Sequence, residues 1–301
     1  MGKLTLAETI RRISAEHLAK NGGLILGQCI SAVGWVNGTV PSGVKGVIEL
    51  PMIDVAGAGI AVGAAIVGRR PIFIVRFQDF MVLNGSPLIN YAAKCKELHG
   101  RSAPVFIRAL ASDGLGPVHS GVLHGVFMHF PGFKVCAPMT PGEYMTIWKE
   151  FMAGDDPMFV SEDRASFKNT EELKDVVRPR AAITLFGIAS TRFQLEEAAR
   201  LLEGEGVTCN LVHIFRLKPF KIDARVLAPL KRSGLGLVID SGFEISGAAR
   251  SIAYELGAAS GCTVRALGLA DKTKCLCPPY QNKTPDAHKI FIAAKEAIKT
   301  R

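Results

Sequence analysis

The sequence predicts an α/β protein made of two three-layer, doubly wound domains, each with a mainly parallel sheet. Three observations carry that expectation. Short apolar runs bounded by Pro and Gly alternate with helical patterns along nearly the whole chain. The alternation stops across a charged and polar stretch, Arg164 to Arg180, and then resumes. At 301 residues the chain is also long enough for two cores. Residues 1–165 therefore form one domain, 166–180 a linker and 181–301 a smaller second domain.

The first element, Met1 to Lys20, reads as an amphipathic helix with Ile10, Ile13 and Leu18 on one side. It has no signal-peptide pattern. Gly23-Leu-Ile-Leu-Gly-Gln28 is a short buried strand ending on a polar residue. A Gly-rich connection, 34–46, and then Val47-Ile-Glu-Leu50 lead to Pro51. Asp54 to Val67 reads as a helix in which Gly57, Gly59 and Gly63 are costly unless another backbone, of a subunit or a sheet, packs closely there. Strand Pro71–Phe77, helix Ser86–Leu98, strand Pro104–Arg108 and helix His119–His129 follow. Strand Phe133–Ala137, helix Pro141–Met152 and strand Pro157–Ser161 complete the first half.

The second half repeats the alternation. Strands are expected at Ala182–Phe186, Thr208–Ile214, Gly236–Asp240 and Thr263–Leu267. Helices are expected at Arg192–Glu203, Asp223–Lys231, Gly247–Leu256 and Pro285–Lys299. No solenoid repeat and no low-complexity segment interrupts them.

Composition narrows the function classes. Hydrophobic residues make up 48% and charged residues 21%, the profile of a globular protein. The net charge of +9 is dispersed and not interleaved with aromatics, which argues against nucleic acid and fits anionic substrates or an acidic partner chain. Seven scattered cysteines fit buried thiols in a reducing compartment, hence a cytoplasmic protein. Cys275-Leu-Cys277 lacks a second pair or a nearby histidine, so no metal site is expected. The Met52–Gly68 run is too short to span a membrane and carries Asp54.

Asp54 is the most informative residue. A lone acid opening a helix of small and apolar residues is either a cap or a chemical tool. Its neighbours decide in favour of chemistry: Pro51-x-x-Asp54, Gly63-Ala-Ala-x-x-Gly-x-Arg-Pro71, Phe77-x-Asp-Phe80, Asn90-Tyr-Ala-Ala-Lys94, His119-Ser120, His129-Phe-Pro-Gly-Phe-Lys-Val135 and Pro138-x-Thr-Pro141. In this order they resemble the pyrimidine-binding domain of thiamine-diphosphate enzymes, specifically the β subunit of 2-oxo acid dehydrogenase E1 components. The second half resembles the transketolase C-terminal domain that accompanies it.

The resemblance implies roles for particular residues. Asp54 falls where the family has a glutamate that hydrogen-bonds pyrimidine N1′ and drives the cofactor to its nucleophilic form. Phe80 matches the aromatic residue packed on the pyrimidine, with Phe77 beside it, and Gln28 stands where an acid usually follows Leu-Gly. His119 matches the histidine of a His-Ser-Gln motif near the reacting carbon, where it can stabilise charge or move a proton. His124 and His129 are read as scaffold.

Absences and departures refine this. The chain has no Gly-Asp-Gly motif, so Mg2+ and the diphosphate are expected on a partner α subunit that carries it, in an α2β2 heterotetramer. Asp54 is one methylene shorter than the family acid, roughly 1.5 Å of reach. Gly121 replaces the glutamine of His-Ser-Gln, and the segment between Gln28 and Gly46 is short. The expected function is a β subunit that forms an enamine/carbanion intermediate from a 2-oxo acid or ketose donor and passes the acyl or ketol unit on. A split transketolase C-terminal subunit and a non-catalytic structural subunit are the alternatives.

Overall fold

A computed structural model describes residues 2–31, 34, 36–274 and 282–301. The chain divides into two compact units, Met1–Glu172 and Leu173–Arg301.

The first unit opens with α1 (Leu6–Lys20), where Thr5 and Glu8 exchange side-chain and backbone bonds in a capping box. Its strands are β1 (Ile25–Gln28), β2 (Val47–Leu50), β3 (Ile72–Val75), β4 (Phe106–Ala111), β5 (Lys134–Cys136) and β6 (Met158–Asp163). They pair in parallel in the order β2-β1-β3-β4-β6-β5. Every residue of β3, β4 and β6 is buried, as expected of strands covered on both faces. The covering helices are α2 (Asp54–Ile66), α3 (Met81–Pro87), α4 (Cys95–His99), α5 (His124–His129) and α6 (Pro141–Ala153). Because β2 is added on one side of β1 and β3 on the other, the connections diverge at the carboxyl ends of β1 and β3. That divergence opens a crevice.

Two expected helices differ. The segment expected as one helix over Ser86–Leu98 begins earlier, at Met81, widens into a π turn over Leu88–Ala92 and resumes as α4. Pro87, which has no N–H to donate, lies at the break. The helix expected over His119–His129 forms only from His124. Upstream, Gly114 and Gly116 both sit at φ +88° and Pro117 follows, so His119 lies in a turn.

A buried ion pair ties the middle of this sheet together. Arg108 on β4 donates from Nε and Nη2 to the two oxygens of Glu162 on β6, at 2.7 and 2.8 Å. Nη2 also reaches the Thr39 hydroxyl at 2.7 Å, and the Tyr144 hydroxyl donates to Glu162 at 2.7 Å. Burial alone would lower the Arg108 pKa, but the Glu162 carboxylate outweighs it and holds it above its ordinary value. Removing one partner strands the other charge in the core. Glu162→Ala is therefore expected to cost about 3–5 kcal/mol in denaturant unfolding, and a loss below about 1 kcal/mol would contradict this.

The second unit contains β7 (Ile183–Ile188), α7 (Leu195–Gly204), β8 (Cys209–Ile214), a short β9 (Arg216–Lys218), α8 (Ala224–Ser233), β10 (Leu235–Phe243), α9 (Ala248–Ser260), β11 (Thr263–Leu269) and α10 (Ala287–Lys299). Its parallel sheet runs β11-β10-β7-β8. Leu195, Leu202, Ile290 and Ala294 of α7 and α10 pack on one face, against Leu185, Leu211 and Leu237. Cys95, Cys136 and Cys209 are buried cysteines, whereas Cys275 and Cys277 lie outside the described residues.

His213 on β8 is 2% exposed. Burial first, then the charges of Arg192 and Arg225, push its pKa down to about 3. An unfolded histidine takes its proton near pH 6.5, so the unfolded state binds more protons between about pH 6.5 and 3. Stability should fall as pH drops through that window, at up to about 1.4 kcal/mol per pH unit from this residue. Unfolding measured from pH 7 to 4 is expected to show a shallower fall in His213→Gln; parallel curves would show that His213 is not the buried neutral group.

Candidate active site

The crevice at the carboxyl ends of β1 and β3 holds a pocket whose walls include Gln28, Leu50, Asp54, Arg76, Phe80 and Asn84. Its position follows from topology, since ligands of open parallel sheets bind where the connections diverge.

Asp54 is the first residue of α2, and it is not the cap. Ile53 occupies that position and contributes no side-chain bond. The capping is done from outside by Gln28, whose amide oxygen, turned toward the helix, accepts from the backbone N–H groups of Ile53 at 3.2 Å and Asp54 at 3.3 Å. Gln28 is steadied in turn by a sharp bend at Cys29, φ +48°. The Glu49 carboxylate on β2 gathers the Ile30 and Ser31 N–H groups there at 3.0 Å each. The half-buried Asp54 carboxyl is thus left to other work, and its Oδ1 accepts from Asn84 Nδ2 at 2.8 Å.

The Phe77-Gln-Asp-Phe80 segment builds the opposite wall as a 3-10 turn over Gln78–Phe80. Phe80 is half-buried and lines the pocket. Phe77 is buried behind it rather than in the lining, edge-on to Phe80 with centroids 5.8 Å apart and to His119 at 4.6 Å. His119 also meets Phe80 edge-on at 5.7 Å, and the Arg164 guanidinium lies over the Phe77 ring at 4.5 Å. The structure therefore gathers Gln28, Asp54 and Phe80 into one pocket, sets His119 against Phe80, and gives Phe77 a supporting place. His124 is fully buried with Nδ1 3.1 Å from the Ser161 hydroxyl, and His129 packs edge-on against Phe130.

Four residues not singled out from the sequence shape the site. Gln78 is fully buried: its Nε2 donates to the Ala109 carbonyl at 3.0 Å and to Ser161 at 2.7 Å, and its Oε1 accepts from Leu123 N–H at 2.6 Å. Asp79 accepts from Gly121 N–H at 2.8 Å, so the stretch after His119 is anchored to the same turn at Gly121 and at Leu123. Asn84 joins Asp54 to the Phe80 carbonyl, which it reaches at 2.9 Å. Arg76 lines the pocket without an ion pair among the described residues. It lies close enough to Arg164 that burial and the Arg76 charge together lower the Arg164 pKa. Polar residues inside an otherwise apolar run, Phe-Gln-Asp-Phe-Met-Val-Leu-Asn, were the available signal.

With this geometry in place, comparison with known proteins decides the domain. Residues 35–169 match the model of the transketolase pyrimidine-binding domain. The matched stretch lies within the first unit. Curated relatives agree: the β subunit of acetoin:2,6-dichlorophenolindophenol oxidoreductase from Cupriavidus necator is 26% identical over 84% of this chain and 80% of its own length. The β subunit of a pyruvate dehydrogenase E1 component from Rickettsia bellii is 26% identical over 70% and 69%. The 2-oxoisovalerate dehydrogenase β subunit of Bacillus subtilis is 26% identical over 66% and 65%. A split-gene transketolase, solved as an inactive β4 tetramer, superposes with a TM-score of 0.77 over 99% of both chains at 16% identity, which shows a shared fold.

A Cβ at Gly121 would meet Asp79 Oδ1 at 2.6 Å, so a side chain here has to push the Asp79 carboxylate aside and disturb its bond to the Gly121 N–H. Gly121→Ala is expected to destabilise by about 1–2 kcal/mol in denaturant unfolding. In the Asp79→Ala background the same change should cost much less, whereas additive losses would refute the clash.

Proposed function

We propose that this chain is the pyrimidine-binding β subunit of a thiamine-diphosphate-dependent enzyme that takes an acyl or ketol unit from a 2-oxo acid or ketose donor and passes it to an acceptor. The observation that carries this is a carboxyl and an aromatic ring facing one pocket, Asp54 and Phe80, at the switch point of a pyrimidine-binding domain. When bound, thiamine diphosphate supplies a nucleophilic carbon whose formation needs an acid at pyrimidine N1′.

The residues present fit that group. Phe80 offers its exposed part as a packing surface for a heteroaromatic ring. Asp54 is half-buried in a pocket walled by apolar Leu50, Gly57 and Phe73 together with Gln28, Arg76 and Asn84, and a hydrogen bond from a carboxyl removed from bulk water is strengthened. Gln28 serves by holding the first turn of α2, and His119, against Phe80, is placed to stabilise charge or move a proton at the substrate. The positive charge of Arg76 favours an anionic donor.

The diphosphate and Mg2+ belong, in this proposal, to an α partner with a Gly-Asp-Gly motif, in an α2β2 heterotetramer. Exposed apolar side chains along and around α2 and α3 support a partner: Met52 (81% exposed), Val67 (74%) and Val82 (78%), with the exposed Val55, Ile60 and Tyr91. On α2, a Cβ at Gly59 or Gly63 would meet nothing within 4 Å, so packing within this chain does not demand those glycines. An apolar face of this kind is what a stable partner covers. A cytoplasmic enzyme would suit the free thiols.

The test is to recover the complex from source cells through a tag on this chain and assay it with pyruvate, branched 2-oxo acids and ketose phosphates. Turnover dependent on thiamine diphosphate is expected, and Asp54→Ala should lower it by about 10²–10⁴-fold while the complex still assembles. No turnover with any donor, or an Asp54→Ala complex as active as wild type, would contradict the proposal; the latter would leave a structural subunit.

A further inference from the structure

We infer that Asn84 is a positioning residue that fixes which oxygen of Asp54 faces the bound pyrimidine, and therefore which oxygen holds the acid's proton. The inference rests on the thiamine-diphosphate function proposed above. It concerns the setting of the acid rather than the acid itself.

Asn84 lies on α3 and is 3% exposed, so its amide must find partners within the protein. Its amide nitrogen carries two hydrogens and accepts nothing. Asp54 Oδ1 takes one hydrogen at 2.8 Å and the Phe80 carbonyl takes the other at 2.9 Å. A protonated carboxyl has a carbonyl oxygen, the stronger acceptor, and a hydroxyl oxygen that donates and accepts only weakly. The Asn84 bond therefore favours Oδ1 as the carbonyl oxygen and leaves an O–H to Oδ2. Asp54 Oδ2 takes no hydrogen bond from any described residue, so it is the oxygen left for pyrimidine N1′.

The second bond adds register. By holding the Phe80 backbone with the same nitrogen, Asn84 ties the acid on α2 to the residue whose ring lines the pocket. The acid's direction and the ring's position are thus set together from one buried amide. Both hydrogens of the Asn84 amide are spent on these two residues, so it acts through them. This suits an acid with a single side-chain methylene, since rotation about two bonds is all the freedom it has to lose.

The experiment compares two ligands on the complex recovered through a tag on this chain, in the presence of Mg2+. One is thiamine diphosphate. The other is the analogue in which pyrimidine N1′ is replaced by C–H, which cannot take the hydrogen bond from Asp54. Calorimetric titration of wild type should favour thiamine diphosphate by about 10–100-fold. Asn84→Ala should cut that preference about tenfold while the analogue's affinity changes by no more than about twofold.

Asn84→Asp, of nearly the same shape, supplies a readout that a merely structural role would not move. Two facing carboxyl groups can share one proton, so the preference should be low near pH 8 and return toward the wild-type value near pH 5. An unchanged preference in Asn84→Ala, or equal losses for both ligands, would overturn the inference and leave the proposed function standing. Equal affinities for the two ligands in wild type, unaltered by Asp54→Ala, would overturn the proposed function itself.

Discussion

The carboxyl end of β3 runs into the turn Gln78–Phe80, and most of the pocket depends on the hydrogen bonds that this turn makes. A buried side-chain amide must find partners or cost about 1–3 kcal/mol, and Gln78 finds three, on β4, β6 and the stretch leading into α5. Asp79 binds that stretch a second time at Gly121. With both bonds made, the turn can present Phe80 to the pocket and bury Phe77 behind it, and His119 has a fixed surface to rest on. The next turn of chain supplies Asn84, which carries the constraint across to α2 and Asp54.

The departures from the family pattern make sense as a linked set rather than as separate losses. Gln28 is neutral, and in this structure it caps α2, where an amide oxygen can take the N–H groups of Ile53 and Asp54. Asp54 is short, and Asn84 holds it. At Gly121 the Asp79 carboxylate lies where a Cβ would stand and accepts the backbone N–H. Each of the three positions thus has a neighbouring side chain or backbone group bonded to it.

Much of the fold was legible in the sequence because parallel strands buried on both faces advertise themselves as apolar runs between Pro and Gly. Asp54 was legible in the sequence as a lone acid opening an apolar helix, and Phe80 only through the ordered motifs that resemble the family; the structure brings the two to one pocket. Other features were not. The partner of Asp54 is 30 residues away along the chain, and those of Gln78 are 31, 45 and 83 away, so no local pattern announces them. The broken helix around Pro87 and the turn holding His119 were misjudged for a related reason. Helical spacing of apolar residues was given more weight than the Pro and Gly residues that interrupt it.

The pocket belongs to one chain, while the chemistry proposed for it needs two. The exposed apolar Met52 and Val55 flank Asp54 in the sequence, so a partner covering them would stand next to the acid. The most direct test of the central claim is a structure of the assembled complex with thiamine diphosphate and Mg2+ bound. The pyrimidine N1′ should lie about 2.6–3.2 Å from Asp54 Oδ2, with the ring against Phe80 and Asp54 Oδ1 still held by Asn84. A pyrimidine bound elsewhere, or an Asp54 carboxyl turned away from it, would contradict the role assigned to this chain.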